Sequence, residues 1–271
     1  MDMLFYSLFW EGLLSALFIA LSTSLVGVFL LIKRLAMLGA GLSHAAFGGV
    51  ALAVVLQLEP MVFTLFYTVL LGLLTQFLTE KKSLPADTVV ALFFSLGGAL
   101  AVLVLGITDN LGANVFSYLF GSMLTATEMD LLLALSVFSL TLLFVTLNYR
   151  ALVLLSFNEE LGRLRGVRVS LLNYLLVALS SANVVLSIKA VGLVLSASFI
   201  SIPAMTSLMV SNSLLQSLIF STAFSLLSLL FGVLLSFLFN LPPSGAVVGC
   251  MVLLFLLVSL GKFIRRKFSG V

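Results

Sequence analysis

The stretch "EGLLSALFIALSTSLVGVFLLI", residues 11–32, carries a single charge, Glu11, at its first position. An α-helix rises about 1.5 Å per residue, so about 20 apolar residues cross the hydrocarbon core of a bilayer. Apolar runs of this length recur along the whole chain of 271 residues, which excludes a lone anchor and a cleaved signal peptide. The stretch therefore predicts one membrane-spanning helix among several.

The composition agrees with a chain that lies mostly in lipid. Hydrophobic residues make up 62% and charged residues 8% of the sequence, whereas roughly 25% are charged in soluble domains. A β-barrel would show alternating segments of roughly ten residues instead. The one cysteine, Cys250, has no partner for a disulfide and is most simply a packed thiol. We predict an all-α integral membrane protein with a single transmembrane domain, residues 1–271.

Hydropathy predicts about eight to nine spans. Their expected ranges are 11–32, 35–57, 60–79, 88–107, 129–149, 171–190, 192–210, 214–238 and 244–261.

The basic residues predict the orientation of these spans. Every Lys and Arg except Lys189 falls in alternate connections, which the positive-inside rule places in the cytoplasm. The N-terminus is then outside and the C-terminus inside the cell. The net charge of +3 needs no nucleic acid, because anionic lipid headgroups are a sufficient partner.

Two connections are too long to be simple turns. The first, residues 109–130, is aromatic and apolar but short, which fits a re-entrant or an interfacial helix. The second contains "NEELGRLRGV", where Asn158 is a plausible N-cap and Gly166 a stop signal. A capped polar helix at this place indicates a docking element for a soluble partner. The alternative is a solvated loop without a partner.

The sequence lacks the motifs of several enzyme classes. It contains no G-x-x-x-x-G-K-[ST] phosphate loop, no H-E-x-x-H and no paired carboxylates within a span. Carriers driven by protons or sodium usually place acidic residues deep in the bilayer. We therefore expect a protein that is not itself an enzyme and takes its energy from elsewhere.

His44 is the one histidine of the chain and lies in the second predicted span. It is either a functional group of a path through the membrane or a neutral side chain bonded between helices. Gly41, Ala45 and Gly49 repeat every four residues, which predicts a face for close helix packing. Pro203 predicts a kink or a break in the seventh span.

Four segments resemble the membrane subunits of bacterial ATP-binding-cassette importers for zinc, manganese and iron, the ABC-3 type. The resemblance covers nearly the whole chain in the same order, and extends more distantly to cobalamin and iron-siderophore permeases. The segments are "RLAMLGAGLSHAAFGGVALA" (34–53), "FNEELGRLRGVRV" (157–169), "VGLVLSASFISIPAMTSLM" (191–209) and "NLPPSGAVVGCMVLLFLL" (240–257).

The resemblance implies a type II importer permease fold, similar to that of cobalamin permeases. It also implies a homodimer in a prokaryotic inner membrane, two cytoplasmic ATP-binding subunits and an external metal-binding protein. The cargo would be a divalent metal ion, with ATP bound by the partner and no permanent cofactor. Residues 157–167 would form the coupling helix, with Glu159, Glu160, Gly162, Arg163 and Gly166 as its contact residues.

The second span departs from the family at one position. The family pattern has an aspartate one helical turn before the histidine, whereas this chain has Ala40. The resemblance implies that His44 and Ser43 belong to the metal path and that the region around Pro203 contributes to an inner gate. In a dimer two imidazoles could hold an ion briefly. Weaker candidates for residues that line the metal path are Asp109, Asn110 and Asn114.

Two rival functions stay open at this point. One is a secondary carrier that works without an ATPase. The other is a permease of the same architecture for a metal chelate, such as a siderophore or cobalamin. The loss of a carboxylate at Ala40 favours the chelate, because a chelated metal brings its own ligands.

Overall fold

The computed structural model describes residues 7–82, 84–107, 121 and 126–268, and this part of the chain is helical almost throughout. Its helices are α1 (Ser7–Ile32), α2 (Ala36–Val55), α3 (Pro60–Lys82), α4 (Ala86–Ile107), α5 (Glu128–Phe157), α6 (Glu159–Leu164), α7 (Val169–Val191), α8 (Leu193–Val210), α9 (Leu214–Phe239) and α10 (Pro243–Phe268).

The prediction of an all-α membrane bundle is confirmed. Eight of the helices in the described residues are long and apolar enough to cross a membrane. The seventh predicted span, 192–210, is not among these eight; it corresponds to α8, whose apolar part, Ser196–Val210, is shorter. Most of the segment 109–130 lies outside the described residues, and with it the candidates Asp109, Asn110 and Asn114.

Helix α1 lies at the centre of the bundle and packs against α5, α7, α8 and α9. Its side chains are small or apolar on every side. Four of them are completely buried: Ala16, Ala20, Val26 and Phe29. A helix that is apolar all round is suited to burial among other helices. The central position of α1 therefore follows from its sequence.

Serine side chains join α1 to α9. Ser221 donates to the carbonyl oxygen of Ser24 at 3.1 Å, and Ser225 donates to that of Ala20 at 3.1 Å. Ser24 in turn donates to the Thr222 hydroxyl at 3.2 Å. Small residues let helix backbones approach, and hydroxyl groups then bond across the contact.

A second polar contact joins three helices in the interior. The hydroxyl of Ser22 on α1 donates to that of Thr141 on α5 at 3.1 Å. Asn183 of α7 also donates to the Thr141 oxygen at 3.3 Å, and all three side chains are buried. These bonds fix how α1, α5 and α7 are rotated relative to one another.

Glycines bring α2 and α4 into backbone contact. A β-carbon added at Gly97 would collide with the carbonyl oxygen of His44 and would lie 2.5 Å from the Ala45 Cα. One added at Gly48 would lie 2.9 Å from the Gly97 carbonyl oxygen. The two helices can therefore pack this closely because both contact positions lack a side chain.

An ion pair closes the end of the bundle opposite α6. Lys189 of α7 donates to the Asp130 carboxylate of α5 at 2.5 Å. Asp130 also accepts from the backbone N–H of Thr127 at 2.7 Å, which forms a capping box at the start of α5. The pair explains why one lysine lies away from the other basic residues.

Gly97 and Gly98 give a matched test of the α2–α4 contact. We expect Gly97→Ala to lower the free energy of unfolding by about 1–3 kcal/mol, because the added methyl group overpacks the interface. A β-carbon at Gly98 meets nothing within 4 Å, so Gly98→Ala should be neutral or slightly stabilising, as alanine favours helices. Thermal unfolding of the purified protein in detergent measures both, and equal stability of the two variants would contradict the packing argument.

Candidate functional site

His44 lies near the middle of α2 and is half-buried. Its ring packs against that of Phe94 on α4, with 3.9 Å between the ring centroids and 35° between the ring planes. The imidazole makes no hydrogen bond to any residue that the structure describes. Within the described part of the chain, the ring contact with Phe94 is therefore the side-chain interaction that holds the imidazole.

The position of Phe94 follows from the glycine contact. Gly97 sits one helical turn further along α4 and touches the backbone of His44 itself. The Phe94 ring is therefore held at the level of the imidazole by backbone packing. It is 41% exposed, so its other side does not pack against the interior of this chain.

The helical turn before His44 offers no second ligand. Ala40 is half-buried and has no polar atom beyond its backbone. Within residues 7–82, 84–107, 121 and 126–268, no three His, Cys, Asp or Glu side chains are grouped so that they could hold a metal ion. Among the described residues, His44 therefore lacks the partner ligands of a closed metal site.

Ser43 forms a contact between helices. Its hydroxyl donates to the Gly39 carbonyl oxygen at 2.7 Å and shares a hydrogen bond of 2.5 Å with the Ser196 hydroxyl of α8. Both serines are buried. Ser43 directly precedes His44 in the chain, but its hydroxyl joins α2 to α8.

The three small residues of α2 meet different neighbours. Gly41 faces Val90 of α4, and Ala45 faces Gly97 of the same helix. Gly49 faces the ring of Tyr67 on α3, where an added β-carbon would lie 2.7 Å from the nearest ring atom. The series is therefore shared between two neighbouring helices.

Helix α8 continues through Pro203, which is buried inside it. The break between α7 and α8 lies at Gly192, at the boundary that hydropathy predicts between the spans 171–190 and 192–210. Gly192 has a φ of 83°, which a residue with a side chain rarely adopts. The sharp turn between the two helices depends on this glycine.

The short helix α6 forms as the sequence predicts. The Asn158 side chain accepts from the Leu161 N–H at 3.1 Å, which confirms it as the N-cap. The helix ends before Gly166, which has a φ of 76°. Gly162 is buried against Leu155 of α5, so the packing of α6 onto the bundle depends on a residue without a side chain.

The outer surface around α6 combines large apolar side chains with two charged ones. Phe157, Leu161 and Leu164 are 73%, 47% and 82% exposed, and they follow one another at intervals of three or four residues. Glu160 and Arg163 are also exposed. We call the exposed residues Phe157, Glu160, Leu161, Arg163 and Leu164 the α6 surface.

Glu159 points in the opposite direction. Its carboxylate accepts from Lys33 at 2.6 Å and from the Asn173 side-chain amide at 3.1 Å. Lys33 also donates to the Asn173 oxygen at 2.8 Å. We call these three residues the Lys33–Glu159–Asn173 cluster, and they line a cavity of about 660 Å³ at this end of the bundle.

The cluster changes the acidity of Glu159. Burial alone would raise the pKa of its carboxyl, but the hydrogen bond and charge of Lys33, with help from Asn173 and Arg163, hold the pKa below its ordinary value. The pairing therefore stabilises the fold above the ordinary pKa of glutamate. This stabilisation is lost as the pH falls through the lowered value.

The geometry defines a class of protein before any comparison. The described residues form a bundle of helices long and apolar enough to cross a membrane, with an imidazole inside and a capped, exposed helix at one end, as expected of a transport permease.

The chain belongs to the ABC 3 transport family, whose model matches residues 5–262. It is thus a permease of the ATP-binding-cassette type, and the resemblance seen in the sequence is confirmed.

Three curated relatives cover nearly the whole chain. A Treponema pallidum protein, named "Probable metal transport system membrane protein", is 33% identical over 98% of this chain and 100% of its own length. The manganese import system permease protein ScaB of Streptococcus parasanguinis is 28% identical over 91% and 88%. The high-affinity zinc uptake system membrane protein ZnuB of Buchnera aphidicola subsp. Baizongia pistaciae is 28% identical over 96% and 100%.

A solved structure shares the fold. PsaBC from Streptococcus pneumoniae, solved in complex with a Fab, superimposes with a TM-score of 0.82 at 24% identity. The match covers 94% of this chain and 91% of the other.

The sequence analysis missed the partners of several charged and aromatic residues. It assigned Glu159 to an outer surface, and it paired neither Lys33 with Glu159 nor Lys189 with Asp130. A signal was present, since the members of each pair fall at the same predicted membrane face. The contact of Phe94 with His44 left no comparable signal, because it depends on how α2 and α4 are rotated.

Because His44 is the one histidine of the chain, its accessibility can be measured directly. We expect Phe94→Ala to raise the rate of imidazole modification by diethyl pyrocarbonate severalfold, because it uncovers one face of the ring. Leu92→Ala is the control, since Leu92 is 56% exposed on the same helix and has no recorded contact with His44. Mass spectrometry of the histidine peptide gives the rate, and equal rates in the two variants would refute the covering role of Phe94.

Proposed function

We propose that this chain is the membrane subunit of an importer that carries zinc, manganese or iron ions into the cell. The ion is received from an external binding protein, and a separate ATPase supplies the energy. The names of the curated relatives support this cargo, because they include a manganese import permease and a zinc uptake membrane protein.

The observation that carries this proposal is the α6 surface. A six-residue helix is too short to be stable by itself, yet α6 is capped, buried at Gly162 and joined to α1 and α7 through Glu159. The α6 surface nevertheless presents three large apolar side chains, Leu161 and Leu164 of α6 and Phe157 at the end of α5. A rigidly held helix with an apolar outer face is suited to bind a soluble partner.

The partner on this surface is the ATPase. The chain itself has no phosphate loop, so the energy has to enter through another subunit. Residues 157–167 act as the coupling helix, and the whole chain, residues 1–271, works as a single permease domain. Two permeases and two ATPases assemble around a two-fold axis.

The basic residues support an orientation for the assembly. Lys33, Glu159, Arg163 and Asn173 line one cavity at the α6 end of the bundle. Lys262 of α10 donates to the Met209 carbonyl oxygen at the end of α8, which brings further basic sequence to that end. By the positive-inside rule this end faces the cytoplasm of a prokaryotic cell. The N-terminus is then external and the C-terminus cytoplasmic.

The metal path runs along the face of α2 that carries His44. An imidazole nitrogen suits zinc and iron, whereas manganese prefers oxygen ligands such as water. Two copies of His44 near the axis, with water, hold the ion weakly. Weak binding suits transport, because an ion bound too tightly is not released. High affinity then belongs to the external binding protein.

A second candidate cargo is a metal chelate. Ala40 supports it, because a chelated metal already carries its ligands and needs no carboxylate from the helix. A secondary carrier is less well supported, since the buried carboxylate at the opposite end, Asp130, is already paired with Lys189.

Uptake by reconstituted complexes tests the cargo. Vesicles that contain the permease, its ATPase and its binding protein should accumulate zinc or manganese when ATP is present. Iron and a ferric siderophore are measured in parallel. Uptake of the siderophore alone would favour the chelate, and uptake without the ATPase would contradict the importer.

In the same vesicles His44→Ala should reduce metal uptake strongly, because the path loses its imidazole. Metal uptake equal to that of the wild type would contradict the assignment of His44 to the path.

The α6 surface gives a test of ATPase binding. We expect Leu164→Ser to weaken the ATPase–permease affinity about ten-fold or more, as expected for the loss of an apolar interface side chain. Leu84→Ser is the control, because Leu84 is 43% exposed in another connection at the same end. Titration of the ATPase onto permeases in nanodiscs measures the affinity. Unchanged affinity for Leu164→Ser would remove the docking assignment.

A further inference from the structure

The Lys33–Glu159–Asn173 cluster is a closed triangle of side chains. Each of the three contacts the other two, at 2.6, 2.8 and 3.1 Å. The residues come from three separate elements: the turn after α1, the helix α6 and the first turns of α7. The sequence separation of Lys33 and Glu159 is 126 residues.

The burial of Lys33 is unusual for its position. A lysine at the end of a membrane helix normally extends its ammonium group into water. The Lys33 side chain is only 8% exposed, whereas the next residue, Arg34, is exposed. Burying an ammonium group is costly unless it is paired, so the position of Lys33 depends on Glu159 and Asn173.

The turn that carries Lys33 leads directly into α2. Only residues 33–35 separate α1 from α2, and the Leu35 N–H bonds to the Leu30 carbonyl oxygen at 2.8 Å. The turn is tight, since Arg34 has a φ of 60°. His44 lies eight residues beyond Ala36, roughly 12 Å along the helix axis. A displacement of Lys33 is therefore passed to the helix that holds the imidazole.

A second connection reaches the same part of α2 through α7. Asn173 lies near the start of α7, which leads through the turn at Gly192 into α8. The Ser196 hydroxyl of α8 is bonded to Ser43, the residue before His44. The cluster therefore connects α6 with the His44 segment by two separate routes.

We propose that Lys33 is a positioning residue that transmits the movement of α6 to α2 when the ATPase changes state. This rests on the proposed docking of the ATPase at the α6 surface. The ion pair makes α6, the α1–α2 turn and the base of α7 move together. The other packing of α6, such as that of Gly162 on Leu155, keeps the helix in place when the pair is broken.

The test uses the complete complex of permease and ATPase in nanodiscs. The wild type should show a difference in the diethyl pyrocarbonate modification of His44 between the nucleotide-free and the ATP-bound ATPase. Lys33→Met should remove most of that difference while the ATPase still binds. Arg34→Met is the matched control, because it removes a positive charge from the same turn without touching Glu159, and it should behave like the wild type.

A charge exchange separates transmission from mere stability. Lys33→Glu combined with Glu159→Lys restores opposite charges at the two positions, and it should recover the nucleotide-dependent modification that either single change abolishes. In vesicles, the metal imported per ATP hydrolysed should fall about ten-fold in Lys33→Met, within the range of coupling between sites. It should recover in the double variant.

The outcomes distinguish this inference from the proposed function. Equal nucleotide dependence in the wild type and in Lys33→Met would overturn the role of Lys33, and so would the lack of any nucleotide dependence in the wild type. If the wild type shows the nucleotide dependence but imports no metal ion, the proposed cargo is wrong and the role of Lys33 stands.

Discussion

The close approach of helix backbones is the constraint on which the rest of this structure depends. Lipid is as apolar as a leucine side chain, so the hydrophobic effect does not hold membrane helices together, and contact between backbones takes its place. Gly97 against His44 is one such contact, and Gly27 against the Ile200 carbonyl oxygen and Gly232 against Val247 are others. These contacts set the rotation of each helix. The surroundings of His44, including the ring of Phe94, follow from them.

The same constraint distributes the polar groups. In the interior, hydroxyl groups mostly bond to carbonyl oxygens three or four residues earlier, as Ser43 does to Gly39. Charged pairs lie at the two ends instead, with Lys189 and Asp130 at one end and Lys33 and Glu159 at the other. The part of the bundle around His44 is therefore poor in fixed charge. Among the described residues, no group of three His, Cys, Asp or Glu side chains forms a metal site there.

The sequence predicted what depends on short-range pattern. Apolar length predicted the spans, and Asn158 with Gly166 predicted the ends of α6, because caps act within one turn. The two adjacent acids Glu159 and Glu160 look alike in sequence, yet one faces the bundle and the other faces outward. That difference depends on where Lys33 lies in space, and a single sequence does not contain that distance. Hydropathy also predicted the boundary near Gly192. Pro203 lies inside a continuous α8, because neighbouring helices can satisfy the backbone group that a proline frees.

Ala40 and Lys33 are connected by the energetics of transport. A permease that bound its ion tightly inside the membrane would need the ATPase to break that binding in every cycle. On the proposed path, alanine at position 40 leaves His44 without the carboxylate of the family pattern, so the direction of movement depends on which end of the path is open. The opening has to follow the ATPase closely, and that requires a stiff connection between α6 and α2. The buried Lys33, bonded to Glu159 and Asn173, is the proposed connection.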